Sequence, residues 1–174
     1  MNLLHLSSHT SSPRPLRPIV VVPAVKPGDA AVAVMTDFAH EQPITVGEER
    51  RIEDALEDMI RFGVRALLVC RGDTVTGLIT SYDVQGERPM KFLQSSTYTR
   101  HDEILVGHVM TPWEEVPVLD WEEVCEATVS DVLALFRETD ATHLPVLQTP
   151  VRGSGFVRGL ISRARLERQL TAAA

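Results

Sequence analysis

Val75-Thr76-Gly77-Leu78-Ile79-Thr80 recurs later in the chain as Val157-Arg158-Gly159-Leu160-Ile161-Ser162. The reading of this pair decides the fold, because three further blocks recur around it in the same order. Upstream, Val64-Arg65-Ala66-Leu67-Leu68-Val69 returns as Ala141-Thr142-His143-Leu144-Pro145-Val146. Before that, Ile52-Glu53-Asp54-Ala55-Leu56 returns as Val129-Ser130-Asp131-Val132-Leu133. At the head, Val34-Met35-Thr36-Asp37 returns as Val109-Met110-Thr111-Pro112. Counted from Val34 to Val109, Ile52 to Val129, Val64 to Ala141 and Val75 to Val157, the offsets are 75, 77, 77 and 82 residues. The increments fall between blocks, where loops tolerate insertion, as in the Gly-, Pro- and Ser-rich stretch 148–156.

Each repeat carries the same order of elements. A short strand comes first, Pro43-Ile44-Thr45-Val46 and Val116-Pro117-Val118-Leu119. A helix follows, since Ile52, Leu56, Met59 and Ile60 lie at helical spacing, as do Val129, Val132, Leu133 and Phe136. Asp54 and Asp131 sit in the early turns, where negative charge suits the helix dipole, and Gly63 marks a stop. Two apolar strands come next, Val64–Val69 and Val75–Ile79, divided by Arg71-Gly72-Asp73, a hairpin signal. A second helix starts near Ser81 and again near Arg163. The pattern is β-α-β-β-α, an α/β (α+β) fold. A three-stranded sheet with helices on one face leaves the other face apolar, so two such units should pack together.

Outside the repeats the sequence predicts an extended arm over 1–30, with Pro13, Pro15 and Pro18 forbidding a helix and Ile19–Val22 forming an extended apolar segment. The first repeat spans 31–90, a linker 91–108, the second repeat 109–170 and a tail 171–174. Gly86 and Pro89 resist helix continuation, so 85–91 reads as a surface loop. Trp113 and Trp121 flank an acidic insertion, as an interface or as buried anchors.

Composition limits the classes of function. The 174 residues are 44% hydrophobic and 24% charged, as in an ordinary globular protein, and the net charge of -7 argues against broad binding to nucleic acid or anionic membranes. Cys70 and Cys125 sit among apolar neighbours without a C-x-x-C spacing and read as buried free thiols. His101 and His108 match no zinc pattern. With no membrane-length apolar run and no signal peptide, a cytoplasmic protein is expected. No Ser-His-Asp set, P-loop or dinucleotide fingerprint points to an enzyme, and no cofactor is required.

Taken together, Val-Met-Thr at each repeat head, His143-Leu144-Pro145-Val146 and Gly-Leu-Ile-[Thr/Ser] resemble the CBS domain family, whose tandem form is called a Bateman module. The resemblance covers roughly 31–170. It implies two repeats packed through their sheets as a pseudo-twofold pair, with clefts that bind adenine nucleotides or S-adenosylmethionine, and pairs that form homodimers. AMP, ADP, ATP and S-adenosylmethionine are thus the candidate regulatory ligands, and an unknown protein partner in trans would read the signal. A structural interaction module with vestigial clefts is the alternative.

The resemblance also nominates site residues. Thr80-Ser81-Tyr82-Asp83 matches the family's [Ser/Thr]-x-x-Asp motif, in which the carboxylate accepts ribose hydroxyls; a helix cap formed by Thr80 or Ser81 with Asp83 explains the same residues. The second copy, Ser162-Arg163-Ala164-Arg165, departs from it. Arg165 cannot accept hydroxyl bonds, yet an anion bound there would relieve arginines in a first helical turn; solvation or pairing with Glu167 is the alternative. Arg65 and Thr142 open the equivalent middle strands on the cleft side. Thr45 and Val46 match the strand edge that recognises an adenine base. His143 matches a strand histidine that reads as packed and hydrogen-bonded.

Overall fold

The computed structural model describes residues 23–98, 100–150 and 155–172. Residues 1–22, with Ile19–Val22, and parts of the 148–156 insertion and of the tail lie outside them. Strands β1 (Met35–Asp37), β2 (Thr45–Gly47), β3 (Ala66–Arg71), β4 (Thr74–Thr80), β5 (Thr111–Pro112), β6 (Leu119–Asp120), β7 (His143–Gln148) and β8 (Phe156–Ser162) form two four-stranded sheets. Helices α1 (Ile52–Phe62), α2 (Ser81–Gln85), α3 (Arg88–Ser95), α4 (Val106–Val109), α5 (Trp121–Glu126), α6 (Val129–Glu138) and α7 (Arg163–Thr171) complete the described chain.

The order in the sheets is β2-β3-β4-β5 and β1-β8-β7-β6. Each sheet therefore has four strands where three per repeat are expected, because each repeat lends its head strand to the other. Met35, Thr36 and Asp37 pair antiparallel with Ile161, Leu160 and Gly159, while Thr111 and Pro112 pair with Leu78 and Gly77. Side chains alternate across each strand, so each sheet has two apolar faces. In β3, Leu67 and Val69 join the core under α1 with Ile52, Ala55, Met59 and Ile79. Ala66 and Leu68 point the other way and meet Leu78, Val116 and Leu160 between the sheets. In the other lobe, Leu144, Val146 and Ile161 pack against Val129, Val132 and Phe136 of α6. The layers run helix, sheet, sheet, helix, as a pseudo-twofold pair.

Three expectations are corrected. The 85–91 segment is not a loop throughout: α3 begins at Arg88, with Pro89 buried in the first turn, where its missing N–H costs no helical bond. The 91–108 stretch is built into the first lobe, with Ile104 and Val106 fully buried and Ile52 N donating to Ile104 O. Cys125 is exposed, while Cys70 is half-buried. Val124 supplies the inward position of the short α5, and the next residue turns about 100° away from it. Trp113 and Trp121 are both half-buried; Trp121 lies under the Arg158 guanidinium at 4.5 Å.

Candidate functional site

Two clefts open where the ends of the sheets meet, and each is assembled from both repeats. The larger, about 740 Å³, combines Ile44, Arg65 and Ala66 of the first lobe with Ser162, Arg165 and Arg168 around α7. The smaller, about 360 Å³, combines Thr80 and Asp83 with Val116, Thr142 and Arg88. His143 borders both.

The sequence-nominated residues are thus split. Arg65, Ser162 and Arg165 come together in the larger cleft, and Thr80, Asp83 and Thr142 in the smaller. Thr45 and Val46 line neither. Val46 is buried in the first-lobe core and Thr45 is exposed, because the pleat turns these two to opposite faces of β2; Ile44, one residue earlier, reaches the larger cleft.

In the larger cleft Arg165 Nη1 donates to Thr36 Oγ1 at 2.7 Å, and Arg65 Nη1 reaches the Tyr82 hydroxyl at 3.4 Å. Arg168, one turn further along α7, donates to its own helix at Ala164 O. Among the described residues none of these three guanidinium groups has a carboxylate within ion-pair distance, although Glu41 lies on the cleft wall. The two arginines of the first α7 turn have separate fates: Arg163 pairs with Glu167 at 3.2 Å, while Arg165 turns into the cleft. Ser162 makes no side-chain cap, so the first N–H groups of α7 carry no hydroxyl partner from it. Unpaired guanidinium groups beside a helix N-terminus suit an anion. The opposite wall is apolar, formed by Ile44, Leu56 and Met59.

In the smaller cleft Asp83 is paired from within, while Asp140 on its wall has no ion-pair partner among the described residues. Thr80 and Asp83 form a capping box: Thr80 N and Oγ1 donate to Asp83 Oδ2 at 2.8 and 2.7 Å, and Asp83 N donates back to Thr80 Oγ1. Asp83 Oδ1 pairs with Arg88 Nη1 at 3.2 Å. Between the clefts His143 Nδ1 lies 3.0 Å from Thr142 Oγ1. Burial, with the nearby Arg65 charge as the second cause, holds the imidazole down at a pKa of about 4, so it is neutral at physiological pH.

Arg88, Arg168, Tyr82 and Thr36 escape the motif reading. Arg168 stands three residues after Arg165, a helical spacing that signals a shared face. Thr36 recurs in the head block. Arg88 has no local signal, since a break between α2 and α3 carries it to the cleft.

The family model of the CBS domain matches residues 30–87. Solved structures extend the likeness across both repeats. A CBS-domain protein from Burkholderia ambifaria is 27% identical, with 75% of this chain and 84% of that one aligned at a TM-score of 0.57. Residues 30–87 are thus a CBS domain, and the chain as a whole has the fold of a CBS pair. The CBS pair CBSX2 from Arabidopsis thaliana shares the fold at 24% identity and a TM-score of 0.52, covering 81% of this chain and 93% of its own. CBSX2 in complex with AMP aligns over 81% of this chain and 95% of its own, at 23% identity and a TM-score of 0.53. No curated protein sequence matches. In this CBS pair, no group of three or more His, Cys, Asp or Glu side chains could hold a metal ion among the described residues. No described helix is long and apolar enough to cross a membrane.

Proposed function

We propose that this CBS pair is a regulatory sensor that binds an adenine nucleotide, or a similar phosphate-bearing ligand, in the larger cleft. The observation that carries the reading is the set of three carboxylate-free arginines, Arg65, Arg165 and Arg168, facing an apolar wall across about 740 Å³. Phosphate would meet Arg165 and the α7 N-terminus, and the base would meet Ile44 and Met59. The complex of CBSX2 with AMP supports this choice of ligand class. Bound ligand would tie the two repeats together, and a cytoplasmic protein partner would read the change in trans, without catalysis by the CBS pair itself. We also infer a homodimer.

Thermal denaturation with AMP, ADP, ATP and S-adenosylmethionine tests the reading. A ligand that binds only the folded chain raises the melting temperature, by roughly 5–10 °C at a hundredfold excess over Kd. The nucleotides should stabilise more than S-adenosylmethionine, whose sulfonium and ammonium oppose the arginines. Arg165→Ala should remove the shift. If no nucleotide moves the transition at millimolar concentration, the interaction-module alternative stands instead. Light scattering on the same sample should give twice 19.3 kDa; the monomer mass would refute the dimer.

A further inference from the structure

We propose that Arg88 limits the chain to one nucleotide by occupying the carboxylate face of Asp83 that would otherwise accept a ribose diol in the smaller cleft. The proposal rests on the nucleotide reading above, and the test separates the two.

A carboxylate grips two neighbouring hydroxyls best when both oxygens face them. Neither oxygen of Asp83 is free to do so. Oδ2 already accepts from Thr80 N and Oγ1, and Oδ1 faces Arg88 Nη1 at 3.2 Å. The Asp83 side chain is only 13% exposed, so a diol could not approach beside the guanidinium without displacing it. Arg88 is also anchored elsewhere. The same Nη1 donates to Val109 O at 2.8 Å and to Thr111 Oγ1 at 3.0 Å. The two N–H groups of that nitrogen are thus taken by the head of the second repeat, which holds its charge 3.2 Å from Asp83 Oδ1 as an ion pair.

Thr36 and Thr111 are equivalent residues of the two head blocks. Thr36 receives the guanidinium of Arg165 at 2.7 Å, and Thr111 receives that of Arg88 at 3.0 Å. Each cleft therefore sets one guanidinium on its head threonine, delivered by helices that are not equivalent, α7 and α3. In the larger cleft that charge is unopposed among the described residues, and a phosphate can take it. In the smaller cleft Asp83 has already taken it, and the ion pair satisfies both the phosphate-binding and the ribose-binding group at once. Arg88 is in this sense a specificity-determining residue: it decides which of two related clefts accepts ligand.

Calorimetric titration of the full chain with AMP and with adenosine reads the two clefts. Wild type should bind one AMP per chain and Arg165→Ala none. Arg88→Ala, which frees Asp83 but leaves the smaller cleft without a cation for phosphate, should gain one adenosine site over wild type, and Arg88→Ala with Asp83→Asn should lose it. Arg88→Met, which keeps the aliphatic stem over the cleft wall, should repeat the result, and circular-dichroism melting shows whether each variant is folded. Two AMP sites in wild type, or no added adenosine site in a folded Arg88→Ala or Arg88→Met chain, would overturn the proposal. If wild type binds no AMP, an adenosine site that appears in Arg88→Ala and disappears with Asp83→Asn upholds Arg88 while removing the larger-cleft reading. No AMP binding in wild type and no adenosine binding in either Arg88 variant removes both.

Discussion

His143 illustrates how one residue can belong to two clefts and be held neutral by its position between them. It is 5% exposed, on the first residue of β7, with Arg65 as its charged neighbour. A protonated imidazole there would lack water and face a like charge, so the folded pKa falls from 6.5 to about 4. Above about pH 7.5 neither folded nor unfolded chain binds the proton, and the histidine leaves stability unchanged. Below it the unfolded chain binds a proton that the folded one refuses, so stability falls until pH reaches about 4. Between pH 7.5 and 5 the loss should be about 2 kcal/mol. Urea denaturation of wild type and His143→Gln across that range checks it: the glutamine variant should lose this component, and equal slopes would rule it out. Asp37 titrates outside the window. Its bonds from Arg158 hold it near 2, so its stabilising share is present above about 4 and disappears only in stronger acid.

Among the elements, the head strands explain why two of the sequence blocks recur together. β1 lies on β8 and β5 on β4, so Val-Met-Thr of one repeat covers Gly-Leu-Ile of the other. A Cβ on Gly159 would stand 2.6 Å from both Met35 Sδ and Thr36 O, and one on Gly77 would stand 2.6 Å from Thr111 O. The methionine could move; the backbone carbonyls, tied into the sheet, could not. Gly159→Ala and Gly77→Ala should each destabilise by about 1–3 kcal/mol, the usual range for overpacking. Gly47→Ala, where nothing stands within 4 Å, is the control and should stay within roughly 0.5 kcal/mol. Urea midpoints decide it, and a silent Gly159→Ala would mean that the head strand is not held in place. These contacts also mark where sequence reading succeeds and stops. Period and β-branched runs reveal α1, α6, β3, β4, β7 and β8 because their apolar positions follow local geometry. Strand exchange is invisible to local pattern: a three-residue head strand has the same composition whichever sheet it joins. The cleft was legible at Arg65, Ser162 and Arg165, which inherit their places from repeat blocks. It was illegible at Arg88, whose position depends on the turn at Gly86 and on α3 packing against the second repeat's head. Thr45 and Val46 show the limit of matching by block: β2 turns Thr45 to the surface and Val46 into the core, and the cleft takes Ile44, just before the strand.

At the scale of the molecule, the exchanged strands make the two lobes interdependent. The described residues begin in the second lobe: Val25 packs against its core, and Ala31 N donates to Ala127 O. It then crosses to build the first lobe from β2 to β5 and returns for β6 to β8. The second lobe's core therefore contains Val34 and Met35 from the first repeat, and the first lobe's core contains Val109 and Met110 from the second. A third apolar layer, with Leu68, Leu78 and Val116, joins the sheets face to face. Unfolding either lobe alone would strip an edge strand from the other and expose that layer to water, at a cost set by the apolar area uncovered. Independent domains would melt in two steps, whereas this arrangement should give one. Scanning calorimetry should show a single peak whose calorimetric and van't Hoff enthalpies agree, with a total of roughly 100 kcal/mol at about 0.7 kcal/mol per ordered residue. Two resolved peaks, or a van't Hoff enthalpy near half the calorimetric value, would show that the exchanged strands do not couple the lobes. The same coupling bears on sensing, since a ligand lodged between Arg65 of one lobe and Arg165 of the other should shift that single transition as a whole and leave its shape two-state.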